Sequence, residues 1–286
     1  MIVCADWSSL PTGRAAWGID LGERAIFPLA ERARSWTLAG LLEEAGALAG
    51  GDSCLVSIDA PLGVPSSFLE AAGATSFPEW LAGEAAGALA APPALDPAEW
   101  STARPFFRVA KGPGGLTRFV DAARGQGVDL WRRIDRATQA KSMFAIGLPG
   151  HVAPSTRSLW SEIREARASG IDFALWPFED GLSTVTLAEI YPRAAYGVAL
   201  APSLPSRPRA VVKTKVAARQ AALEELGGCG WLQDARVRVL EPDRPRADED
   251  DFDAFFTGAA LLRLVLEGLP LATEVDARAE GAMLGL

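Results

Sequence analysis

Cys54-Leu55-Val56-Ser57-Ile58-Asp59-Ala60-Pro61-Leu62-Gly63 is the stretch on which the fold turns. A short, mostly apolar run leads straight into an aspartate, and Ala-Pro-Leu-Gly then bends the chain away. So brief a run predicts a buried strand with a turn at its end. Asp59 therefore falls at a strand tip, where a carboxylate costs desolvation energy unless it finds a partner.

Toward the N-terminus, Gly50-Gly51 closes a helix expected over Trp36–Leu48, with Ser35 as its cap. Leu38, Leu41, Leu42, Ala45 and Leu48 repeat there at helical spacing. Before it, Ile2–Trp7, Ala15–Leu21 and about Arg24–Leu29 read as three short strands. Turns at Leu10-Pro11-Thr12-Gly13 and Gly22-Glu23 join them into an antiparallel meander. The first strand ends on Asp6 much as the fourth ends on Asp59. The intervening helix makes those two strands parallel neighbours.

Toward the C-terminus, residues 76–154 are rich in Pro, Gly, Ala and Trp and read as an inserted, mostly helical segment with loops. Its aromatics (Trp80, Trp100, Phe106, Phe107, Trp131 and Phe144) argue against disorder. A helix capped by Ser155 or Thr156 follows, running to Ser169-Gly170. Strands are expected at Phe173–Trp176, Thr184–Tyr191 and Val237–Leu240, and helices near Lys213–Leu226 and Asp251–Leu266. Residues 1–286 thus predict one α/β domain, a mixed central sheet layered with helices and carrying the insertion.

With 286 residues, 49% of them hydrophobic, the chain can bury a substantial core. No apolar run approaches the roughly 20 residues of a membrane span. The start shows no basic-then-apolar leader, and Cys4, Cys54 and Cys229 have no metal-ligand spacing, so a cytoplasmic setting is expected. A net charge of −8 speaks against a nucleic-acid partner. The distribution softens this, because Arg104, Arg108, Lys111, Arg118, Arg124, Arg132, Arg133, Arg136 and Lys141 face only three acids, and 193–219 holds none. Such stretches are either basic walls around an acidic centre or ordinary solvated faces.

Carboxylates drawn from distant parts of a chain are what a divalent-metal site requires. Asp6 and Asp59 are the first candidates, with Asp6 as the ligand shared between two ions. Asp250 and Asp253 lie three apart on one helix face. Acids also suit a first helical turn whatever the function, and Asp248, Glu249 and Asp251 leave open which point inward. Phe252, Phe255, Phe256, Ala259, Leu262 and Leu266 mark the buried side, with Asp253 at its margin. Glu189 either adds a ligand or orients a basic residue through a salt bridge. Lys213, Lys215 and Arg219 either contact a phosphate or form a solvated helix start. His151, the only histidine, reads as a loop residue. Lys111-Gly112-Pro113-Gly114-Gly115 is not a phosphate-binding Walker loop.

Four segments, Asp6-Trp7-Ser8, Ile58-Asp59-Ala60-Pro61-Leu62-Gly63, Glu189-Ile190-Tyr191-Pro192 and Asp250-Asp251-Phe252-Asp253-Ala254, give the chain its likeness to known families. In their order along the chain they resemble the ribonuclease-H-like superfamily, specifically the predicted-nuclease family known as domain of unknown function 429. The last segment also looks like that of Holliday-junction resolvases with this fold. The resemblance implies a three-layer ribonuclease-H-like fold and a nuclease that hydrolyses phosphodiester bonds with two Mg²⁺ or Mn²⁺ ions. It implies nucleic acid as partner and Asp6, Asp59, Asp250, Asp253 and Glu189 as site residues. An actin-like or sugar-kinase-related phosphotransferase, and a non-catalytic nucleic-acid or protein-binding module, are the alternatives.

Overall fold

The computed structural model describes residues 1–29, 35–147, 150–179, 181, 183–272 and 277–285. Ten strands are found among them: β1 (Ile2–Asp6), β2 (Ala15–Asp20), β3 (Ala25–Pro28), β4 (Cys54–Ile58), β5 (Phe107–Arg108), β6 (Ala145–Ile146), β7 (Ala174–Leu175), β8 (Val185–Ile190), β9 (Arg238–Val239) and β10 (Met283–Leu284). The helices of nine residues or more are α1 (Leu38–Ala49), α2 (Gly115–Gly125), α3 (Ala153–Ala168), α4 (Pro192–Leu200), α5 (Val216–Gly227) and α6 (Glu249–Leu266).

The main sheet has the order β10-β8-β4-β1-β2-β3-β9, with β7 also paired to β8. Each pairing is parallel except β1–β2 and β2–β3, so β2 alone runs against the rest. This mixed, mostly parallel sheet is buried on both faces, as expected when crossover helices cover it. Alternation along β1 sends Val3 and Ala5 to one face and Ile2 and Cys4 to the other. On the first face lie α1, α3 and much of the 76–154 segment; on the second lie α4, α5 and α6. The fold is therefore a mixed α/β structure with helices on either side of one sheet.

The meander, the β1–β4 parallel pair and the later strands form where the sequence expects them. Some boundaries differ for local reasons. Thr37, not Ser35, caps α1, its side chain accepting from the Gly40 N–H. Ser155 and Thr156 lie inside α3, where Pro154 occupies the first turn and both hydroxyls bond back to Val152 O. Pro192 does not merely end β8; it opens α4, a helix that the sequence reading missed. Trp80, Trp100, Phe106, Phe107 and Phe144 of the 76–154 segment are all buried. Trp80, Phe106 and Phe144 pack around Trp160 of α3, so those rings are core and not open platforms for bases.

Candidate metal centre

β1 and β4 deliver their acids side by side. Ala5 pairs with Ile58 in register, and the next residue on each strand is an aspartate. The Asp59 main-chain N–H donates to Ala5 O at 3.4 Å, and its Oδ1 accepts the Trp7 N–H at 2.5 Å. The turn after Asp59 is held from several sides. Trp160 Nε1 donates to Pro61 O at 2.8 Å, and Leu62 N–H donates to Glu189 Oε2 at 2.7 Å.

Helix α6 brings the third acid. It crosses β1 and β2 at Gly258, where an added Cβ would lie 2.9 Å from Ile19 Cδ1 and 3.8 Å from Cys4 Sγ. Asp253 is five residues back along the helix, about 7.5 Å at helical rise. Asp6 is two residues on from Cys4, about 6.6 Å at strand rise. The two carboxylates so meet at the same edge. Asp248 caps the helix, accepting the N–H groups of Asp250 and Asp251.

Among the described residues, Asp6, Asp59 and Asp253 each offer one oxygen, all within 4.8 Å of one another. Asp250, half-buried, adds a carboxylate beside Asp6. Lys213 Nζ pairs with Asp253 Oδ2 and stands 3.7 Å from Asp6 Oδ1. Tyr196 of α4 donates its phenolic proton to Asp253 Oδ1. Four carboxyl groups thus gather around one lysine.

The titration of these groups reflects that crowding. Burial, then the Asp59 charge, lifts the Asp6 carboxyl well above the usual range, with Lys213 opposing. Asp59 is pushed up to about 6, chiefly by burial, with Lys213 opposing and Asp253 adding. Asp253 is raised by burial against the pull of Lys213 and Tyr196, and Asp250 by burial and Asp248. Burial opposes the charge on Lys213, but Asp6 and Asp253 outweigh it and hold the ammonium protonated.

Of the residues singled out in the sequence, Asp6, Asp59, Asp253, Asp250 and Lys213 come together. Glu189 does not: it takes the salt-bridge role. Arg132 Nη1 and Nη2 grip its two oxygens at 2.6 and 2.7 Å, deep in the core, with Asp135 binding the same guanidinium. Arg219 is buried, and its Nε, Nη1 and Nη2 donate to the main-chain carbonyls of Arg246, Lys213 and Ala247. Lys215 is exposed, two residues along the chain from Lys213. His151 is partly buried and outside the acidic group.

Tyr196 was not foreseen, and Asp251 was one of the acids whose orientation the sequence left open. Asp251 is the inward acid that faces away from the centre, accepting from Trp17 Nε1 at 3.0 Å and pairing with Arg244. Tyr196 carried no signal beyond an apolar run. No family model, curated protein or solved structure matches the chain in the comparisons made.

Proposed function

We propose that this chain is a divalent-metal-dependent nuclease built on a ribonuclease-H-like core. The observation that carries the reading is the convergence of Asp6, Asp59 and Asp253, from two parallel central strands and a helix, at the C-terminal ends of those strands. Three hard carboxylate donors with no imidazole or thiolate suit Mg²⁺ or Mn²⁺ better than softer ions. The strand order β3-β2-β1-β4-β8, with β2 reversed, is compatible with that core and supports it.

In this reading Asp6, Asp59 and Asp253, with Asp250 beside Asp6, would hold the divalent ions. Bound divalent ions activate water and stabilise the leaving oxygen of a phosphodiester. The chain's own residues orient those acids: Trp7 N–H fixes Asp59, and Tyr196 fixes Asp253. Lys213 is the nearest cation for a phosphate oxygen. Nucleic acid is the proposed partner, with the exposed Arg108, Lys111, Arg118, Arg124, Arg133, Arg136, Lys141 and Lys215 as candidates for backbone contact. The cysteines Cys4, Cys54 and Cys229 are all unpaired, which fits the proposed cytoplasmic setting.

The test is cleavage of labelled single-stranded and duplex DNA, RNA, hybrid and four-way junction in Mg²⁺ and Mn²⁺. Wild type is run beside folded Asp59→Asn. Metal-dependent cleavage that the variant loses is the expected result. Cleavage that survives the substitution, or none on any substrate, counts against the proposal.

A further inference from the structure

Both oxygens of Asp253 are engaged. Tyr196 donates to Oδ1 and Lys213 to Oδ2, and the same ammonium lies 3.7 Å from Asp6 Oδ1. We infer that Lys213 is a tethered cation that occupies the metal seat until a divalent ion loads and drives its side chain out. The inference rests on the metal-dependent reading above.

Three observations decide which partner of Asp253 yields. Tyr196 is buried and its ring packs against Phe252 and Phe256, with centroids 5.6 Å from each. A phenol so enclosed has nowhere to go. The Lys213 side chain is 33% exposed and therefore has an exit toward solvent. Its main chain, by contrast, is pinned: Arg219 Nη1 donates to Lys213 O while Nε and Nη2 bind Arg246 O and Ala247 O. The lysine stem can swing while its Cα stays.

Charge supplies the reason for both positions. Buried carboxylates from β1, β4 and α6 repel one another, and an ammonium among them relieves that repulsion. A divalent ion bound by the same oxygens relieves it better and repels the ammonium. Metal and lysine thus compete for one place, and the released amine becomes available to the anionic substrate.

The test uses the whole chain. Mn²⁺ affinity is measured by calorimetry for wild type and Lys213→Met, with melting temperatures in chelator and in saturating Mn²⁺. Occupancy of the seat by the ammonium scales apparent affinity by the fraction of time the seat is free. Lys213→Met should therefore bind Mn²⁺ more tightly, on the order of tenfold if the seat is free about a tenth of the time. It should melt below wild type in chelator and level with it in Mn²⁺. Amine labelling of wild type, read by mass spectrometry, needs no variant. Lys213 should gain reactivity on adding Mn²⁺ while the exposed Lys215, two residues away, serves as reference.

Equal or weaker Mn²⁺ binding by a folded Lys213→Met, or Lys213 labelling that saturating Mn²⁺ leaves unchanged, overturns the inference and leaves metal binding standing. Absence of Mn²⁺ binding by wild type and variant alike removes the metal reading and this inference together.

Discussion

Tyr196 and Asp253 face one another across the α4–α6 contact, with the phenol donating to a carboxylate that is itself buried. Burial, then the Asp253 charge, keeps the phenol protonated far past its ordinary range. It is a permanent donor. Tyr196→Phe keeps the packing against Phe252 and Phe256 and removes only that donor. Hydrogen bonds to charged groups contribute about 1.5–3 kcal/mol, so the variant should lose roughly that much stability in chelator near neutral pH. Guanidinium melts check this; an unchanged midpoint would show that the bond does not form in solution.

The raised carboxyls make a signed pH prediction. A carboxyl whose folded pKa lies above its unfolded value binds more protons folded than unfolded between the two. It therefore favours folding less as the pH rises through that window. For Asp59 the window runs from the ordinary value of 3.8 to about 6. Asp6 and Asp253 shift in the same direction, while Lys213 and Tyr196 face them throughout. Asp59→Asn removes one titrating member and keeps an oxygen for the Trp7 N–H. In chelator the variant should be more stable than wild type at about pH 7.5, with the gap narrowing as the pH falls through about 6 toward about 3.8. Saturating Mn²⁺ should reverse the order at about pH 7.5, because the ligand carboxylate is then needed. Parallel stability curves for the two proteins would contradict the account.

Glu189 offers a sharper separation of ligand from scaffold. Its oxygens are consumed by Arg132 and the Leu62 N–H. Glu189→Gln should leave Mn²⁺ affinity close to that of wild type, whereas Asp253→Asn should lower it by at least the roughly tenfold that losing even an outer-shell partner costs. Arg132→Met strands two buried carboxylates and should cost about 3–5 kcal/mol. Calorimetry and denaturant melts read the two effects independently.

How far the sequence reaches can be judged from the same residues. The tips of β1 and β4 were legible because each is a short apolar run ending in a charge, a pattern with few structural explanations. Asp253 was legible only as one of several acids, since a helix start favours carboxylates regardless of purpose. What selected it was the Gly258 crossing on Ile19 and Cys4, a tertiary contact. Glu189 looked like Asp59 in sequence, an acid at a strand end. Its partner Arg132 lies 57 residues earlier in the chain, inside the segment that reads as an insertion. The aromatics of that segment were ambiguous for the same reason: composition excludes disorder but does not say which core the rings enter.

The C-terminal segment is the last element that the site depends on, and it makes its own prediction. Gly63, at φ +124°, lies in the loop after Asp59; a Cβ there would fall 2.1 Å from Glu280 O. Gly281, at φ +94°, would place one 2.2 Å from Leu62 O. The two backbones lie against each other with no room for a side chain on either. Glu280 closes the contact, accepting from Ser66 N and Oγ at 2.9 Å and from Arg133 N at 2.7 Å. Gly281→Ala meets main-chain atoms that cannot rotate aside, so it must push the Leu62 peptide and with it the turn that carries Asp59. Gly170→Ala is the control, with φ +82° but nothing within 4 Å of the added carbon. It should cost about 1–2 kcal/mol, the penalty of a left-handed conformation alone. Gly281→Ala should cost clearly more and should also weaken Mn²⁺ binding, which Gly170→Ala leaves intact. Equal losses in the two variants would mean that the clasp does not position Asp59.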